Sequence, residues 1–329
     1  MIRVLDVDPN AYTPHALHSG DRVWVEKNCY IDLWIELLSA LRVEPRAVLP
    51  FSLAVDFEDD QWTFFKPPHG ELADLYGVEV EELTVWRPLV EHCVTQLGAG
   101  KLVSTEADAF FLPDTSGTDY RRTHTKTTIV VNAIDLERRR LEYFHNAGYY
   151  ALEGDDFAGL FRLNAPEDPT FMPLFAELVR VARLRHAPEE ELRRVSRALL
   201  ANHLARRPRE NPIRRFASAF TAELPRLHEA GLDHYHHWAF AGVRQLGAAF
   251  ELAALHVEWL DPELAKDVSP HFMAVATGAK TFILKAARAV NGKRALDASA
   301  LFDEMANGWD AGMRRLDQVV GSDAVGGGA

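Results

Sequence analysis

Apolar residues recur at helical spacing from Ile31 through Trp34, Ile35 and Leu38 to Leu41, which predicts a helix with one apolar face behind Asn28-Cys29-Tyr30. Asn28 stands where an N-cap belongs, so Cys29 falls in the first turn. Beyond this helix the pattern is mixed. Residues 51–56 and 61–66 read as strands, the second stopped by Pro67-Pro68. Residues 71–76 and 87–97 read as helices closed by Gly77 and Gly98, and residues 101–108 read as a strand. The stretch 122–133 is dense in β-branched residues and predicts a strand. A polar turn at 134–138 and a returning strand at 139–144 complete a hairpin that runs into His145-Asn146-Ala147-Gly148. Residues 155–161 begin another short helix. From residue 170 onward the period is helical, with segments at 171–186, 189–206, 211–228, 233–259, 270–290 and 298–320. Gly and Pro mark most of the joints. The change of period predicts an α+β unit over 1–165 and an all-α unit over 166–329, the latter a separate domain or a lid.

Composition narrows the classes. The chain has 329 residues, 47% hydrophobic and 26% charged, an ordinary globular balance. A net charge of −12 argues against a general nucleic-acid binder, which needs a basic face. The two cysteines, Cys29 and Cys93, make no disulfide scaffold and fit a reduced, cytoplasmic setting. The start, Met1 to Asp6, lacks the basic flank and apolar core of a signal peptide, and no run approaches the ~20 apolar residues of a membrane span. Residues 326–329 are expected as a loose tail.

The candidate chemistry centres on Cys29. A helix start carries partial positive charge and unpaired N–H groups, which stabilise a thiolate and supply donors to an oxyanion. A small buried cysteine that only packs is the plainer alternative. His124, opening one strand of the hairpin, and Asn146, after the other, are the residue types that complete a cysteine nucleophile's set. The imidazole takes the thiol proton, and a polar side chain fixes the ring. Other signals are weaker. His234, His236 and His237 lack a paired metal motif, so no metal or bound cofactor is expected. Gly98-Ala99-Gly100-Lys101 lacks the phosphate-loop spacing. Arg206, Arg207 and Arg209 read as an exposed joint or a patch for an acidic partner.

The segments Asn28-Cys29-Tyr30-Ile31-Asp32-Leu33-Trp34 and Tyr143-Phe144-His145-Asn146-Ala147-Gly148-Tyr149-Tyr150 resemble a bacterial family of domains of unknown function, over most of the chain. More distantly, residues 107–113 and the His124 strand resemble the butirosin-biosynthesis acyltransferase family, whose members are similar to papain-like cysteine enzymes. The helical half also looks similar, especially Gly242-Val243-Arg244. This resemblance implies a papain-like first half. It implies transfer of an acyl or aminoacyl group from a phosphopantetheine thioester, on an acyl carrier protein, to a small-molecule amine. It also implies Cys29 as nucleophile, His124 as base, Asp108 as support from its strand and Arg244 as a contact in the acceptor pocket. Where that family has Asp after the second strand, this chain has His145-Asn146. The third role is therefore carried onto Asn146, with His145 its rival, and no upstream glutamine for an oxyanion hole is evident. A papain-like hydrolase of peptides, amides or thioesters, and a non-enzymatic interaction protein on a degenerate scaffold, are the alternatives.

Overall fold

The computed structural model describes residues 1–166 and 171–326. Its strands are β1 (Ile2–Arg3), β2 (Phe57–Glu58), β3 (Gln61–Trp62), β4 (Glu79–Glu82), β5 (Leu102–Asp108), β6 (Lys126–Asp135), β7 (Arg140–His145), β8 (Gly148–Glu153) and β9 (Ala176–Arg180). Its helices are α1 (Cys29–Ala40), α2 (His69–Tyr76), α3 (Leu89–Gly98), α4 (Asp155–Leu160), α5 (Glu189–Ala205), α6 (Pro212–Ala230), α7 (Leu232–Ala241), α8 (Val243–Leu260), α9 (Pro262–Gly292) and α10 (Ser299–Gly326). The fold is α+β, with the sheet in the N-terminal half and a helical C-terminal half. Two compact units share the chain. Unit 1 comprises Met1–Gly20, Asn28–Pro45 and Pro68–Ala187, and unit 2 comprises Asp21–Lys27, Arg46–Pro67 and Pro188–Ala329. Residue 170 and the tail at 327–329 lie outside the described residues.

Several expected elements come out differently. The helix read over 270–290 begins at Pro262, and of the strand read over 61–66 only Gln61–Trp62 is extended in a ladder. Residues 171–186, read as a helix, contain strand β9, hydrogen-bonded on one edge to β4 and on the other to β5. Ala176 and Val179 are buried there. A segment this short has weak helical preference, and two waiting ladders outweigh it. Of residues 51–56, read as a strand, 51–54 close a run of 3₁₀ turns over Pro45–Ala54 that contains Pro50, which has no N–H to give a ladder. The single helix expected over 233–259 is broken at Gly242, whose φ of −101° and ψ of −103° leave the helical region.

The sheet of unit 1 is antiparallel, in the order β4-β9-β5-β6-β7-β8, with β1 paired to the far part of β6. Because side chains alternate across a strand, cross-strand partners share a face. One row runs Glu177, Ser104, Val130, Phe144, Tyr149; the next runs Leu178, Val103, Val131, Tyr143, Tyr150. The second face holds the main apolar core, where Val90, Cys93 and Leu97 of α3 and Phe157 and Leu160 of α4 meet Val103, Ile129, Val131 and Leu141. Helix α1 packs on β6 and β7, and its Tyr30 reaches the first row at Ser104 and Glu177.

Helix α1 is buried nearly all round, including Asp32 and Glu36. Buried carboxylates are tolerated only when paired. Here His18 spans both, Nε2 lying 2.9 Å from Asp32 and Nδ1 hydrogen-bonded to Glu36, while Tyr12 donates its hydroxyl to Glu36. Burial and the Glu36 charge push the Tyr12 phenol well above its ordinary range, so it stays a donor. In unit 2, α8 is the central helix, buried from Val243 to Val257 apart from Arg244. Its buried Glu251 accepts the amide hydrogens of Val23 and Trp24, both at 2.8 Å.

Candidate functional site

Asn28 has extended backbone, and its side chain accepts the amide hydrogens of Tyr30 and Ile31 at 3.1 and 2.9 Å. The Asn28 carbonyl takes the amide of Asp32. Of the four N–H groups that begin α1, only that of Cys29 has no acceptor among the described residues. Cys29 is therefore the first residue of a capped helix, half-buried, with a free thiol and its own N–H available. Cys93 differs: it lies on the buried face of α3, and burial pushes its thiol up to about 12.

Tyr30, the next residue, organises a network that sequence reading missed. Its hydroxyl donates to Glu177 Oε2 at 3.0 Å and lies 2.9 Å from His69 Nε2. Since that hydroxyl has one hydrogen, given to Glu177, the His69 Nε2 carries its own and donates to the tyrosine oxygen. Glu177 Oε1 lies 3.4 Å from His69 Nε2, and Ser104 Oγ donates to Glu177 Oε2 at 3.2 Å. His69 opens α2 and is partly exposed, whereas Glu177 and Ser104 are buried in the sheet. Burial and Glu177 push the Tyr30 phenol above its ordinary range. The residues come from four separate elements. The one signal at sequence level was His69 following Pro67-Pro68, which stops the strand read over 61–66.

His124 pairs with Asp108. Its Nδ1 lies 2.6 Å from Asp108 Oδ2, and its ring stacks on Phe110 at 4.4 Å with 14° between planes. Asp108 is itself held, since Oδ1 accepts the Phe110 amide at 3.0 Å. The dyad borders a cleft of roughly 530 Å³ walled by Phe111 and by Ala158, Gly159 and Leu160 at the end of α4. Neither His124 nor Asn146 makes a hydrogen bond to Cys29, and Asn146 makes none to His124. Asn146 holds a φ of +44° in the two-residue turn between β7 and β8, a conformation Asn tolerates well. His145 is buried, its Nδ1 2.6 Å from Asp114 and its Nε2 2.8 Å from Thr127 Oγ1, so both nitrogens are occupied. In unit 2, Arg244 donates to the Glu26 carbonyl at 2.9 Å and lies over the Phe240 ring. No group of three or more His, Cys, Asp or Glu among the described residues is placed to hold a metal ion, and no helix among them is long and apolar enough to cross a membrane.

Family models match almost end to end. The DUF1839 N-terminal domain covers residues 13–181 and the DUF1839 C-terminal domain covers residues 189–318. No curated protein matches the chain.

Proposed function

We propose that this chain, which belongs to the DUF1839 family, is a cysteine-dependent acyltransferase with Cys29 as nucleophile. The observation that carries the reading is the start of α1. Asn28 satisfies the neighbouring amides and leaves the Cys29 N–H unpaired beside the Cys29 thiol. A thioester suits such a thiol, because exchange of one thioester for another is close to neutral in free energy. The Cys29 thiolate adds to the donor carbonyl, and the Cys29 N–H donates to the developing oxyanion. The donor thiol leaves with a proton, and an amine then attacks the acyl-Cys29 and releases the thiolate. His69 is our candidate for moving these protons in place of His124, because it is tied to the nucleophile's neighbour Tyr30 and oriented by Glu177. In a resting cysteine site the thiol–imidazole bond often forms only with substrate bound. A phosphopantetheine-linked acyl or aminoacyl donor on an acidic carrier protein, and an amine acceptor, follow from the acyltransferase resemblance.

The test is intact-protein mass spectrometry after mixing with acyl thioesters, first N-acetylcysteamine thioesters and then loaded carrier proteins. The wild type should gain one acyl mass and Cys29→Ser none. His69→Ala should slow acylation about 100-fold or more, with His124→Ala within a few-fold of wild type. The reverse ranking would return the base to His124. Release of the acyl group by water as fast as by amines would make the enzyme a hydrolase. An adduct that persists in Cys29→Ser, or none with any thioester, would end the reading.

A further inference from the structure

The His124–Asp108 dyad has no part in the chemistry above, yet it borders a cleft of roughly 530 Å³ in unit 1. A second cleft of about 440 Å³, lined by Val85, Trp86, Arg87, Leu89 and Phe161, adjoins the first. The two share Leu160, Arg162, Ala165, Phe171 and Leu174 as walls, so they form one groove with two lobes. Each lobe falls in the size range of small-molecule sites.

The lobes differ in chemistry. The Trp86 lobe is largely apolar and aromatic, with Arg87 its charged lining residue besides the shared Arg162, and Trp86 itself is 76% exposed at its rim. Arg87 lies 5.3 Å from its ring centroid and His92 meets it edge-on, yet most of the indole stays open as a contact surface. The other lobe carries His124, Asp108, Asp155 and Asn164. Between them stands Arg162, with its guanidinium 4.1 Å from the Phe171 ring centroid. It has no carboxylate or carbonyl partner among the described residues, whereas Arg121, Arg140 and Arg183 of the same unit are each ion-paired. Arg162 also holds a φ of +55°, so its placement at the junction is set by the backbone at the end of α4. A stacked guanidinium with its donors unused is a carboxylate receptor. In the polar lobe, His124 Nδ1 is committed to Asp108, which leaves Nε2 for a ligand.

We infer that this groove is a binding site for a small amphipathic carboxylate, with its aromatic or alkyl body against Trp86, Leu89 and Phe161. The carboxylate meets Arg162, and a hydroxyl beside it hydrogen-bonds His124 Nε2. Charge and shape agree: a largely apolar slot, whose Arg87 is already engaged by Thr95 and Glu91, ends at the uncommitted Arg162, and beyond that stands one oriented imidazole. The site does not depend on Cys29.

Calorimetric titration of the full chain tests this with 3-phenylpropanoate, its neutral amide and 3-phenyllactate. The acid should bind at least 10-fold more tightly than the amide. Arg162→Ala should erase that difference while leaving the amide within about 2-fold, and Trp86→Ala should weaken both. Phenyllactate should outbind phenylpropanoate in the wild type but not in His124→Ala. Cys29→Ala should bind as the wild type does, which separates this site from the proposed catalysis. Absence of saturable binding, equal binding of acid and amide, or unchanged acid binding in Arg162→Ala would overturn the carboxylate site. Equal binding of the two acids to the wild type would overturn the role of His124.

Discussion

The two cysteines should differ in reactivity by a margin the structure sets. Cys93 has no exposed surface, and its thiol is pushed up to about 12 by burial among Val90, Leu97, Val103 and Ile129. At pH 7 an accessible thiol with an ordinary pKa of ~8.5 is about 3% thiolate, whereas one at about 12 holds roughly one thiolate in 10⁵. The thiolate is the nucleophile, so ionisation alone slows Cys93 by ~3 × 10³-fold, before any barrier to access. Native chain treated with iodoacetamide at pH 7, digested and read by peptide mass spectrometry, should take one label, at Cys29. Cys29→Ser should take none over the time in which wild type is complete, and both cysteines should label in denaturant. The raised thiol has a second consequence. The folded chain holds a proton that the unfolded chain releases above its ordinary value of ~8.5, so the Cys93 contribution is fully present below that pH. It is lost as pH climbs toward about 12, by up to ~1.4 kcal/mol per pH unit. The denaturation midpoint should therefore fall through this window less steeply in Cys93→Ala. Native labelling of Cys93 as fast as Cys29 would refute the argument, because it would mean that the α3 core is open.

Other perturbations test the structure around the site. His18→Leu removes the imidazole that bridges the buried Asp32 and Glu36 carboxylates and should cost about 3–5 kcal/mol in denaturant unfolding, more than most core truncations of similar volume. Gly77→Ala should cost more than ~2 kcal/mol, measured the same way, since φ there is +69° and a Cβ would fall 2.1 Å from the Arg183 carbonyl oxygen. His256, buried in unit 2 with Nδ1 donating to the Arg46 carbonyl, is lowered to about 4 by burial. The unfolded chain therefore binds a proton that the folded chain refuses, and stability should fall between pH 6.5 and 4 by up to ~1.4 kcal/mol per unit. His256→Gln should flatten that part of a pH series of unfolding curves.

The helix starts at Asn28 and Asn211 were legible because a cap is a local event. Each side chain accepts amides two or three residues ahead, and only the identity and spacing of neighbours is needed to arrange that. The start of α9 was not read: Asp261 caps it, well before the 270–290 segment that the period indicated. The hairpin of β6 and β7 was legible for a similar reason, since its two strands and turn lie within twenty consecutive residues. Strand β9 was not, because what makes Ala176–Arg180 a strand is the pair of edges offered by β4 and β5, residues far away along the chain. The same holds at the site. Cys29 and its helix could be read from a window of about a dozen residues. The cluster beside it joins Tyr30 to His69, 39 positions on, and to Glu177, 147 positions on. Periodicity carries no information about which distant polar side chains converge. That is decided when the sheet register aligns Glu177 with Ser104 and the packing of α1 lays Tyr30 across them. The pairing of His124 with Asp108 depends likewise on the β5–β6 register, which sets Asp108 opposite Lys126 and so beside the residue two positions before it. The sequence by itself determined the capped cysteine and the α+β-to-α order of elements. The tertiary structure decided which imidazole stands near which carboxylate, because that depends on long-range register and burial.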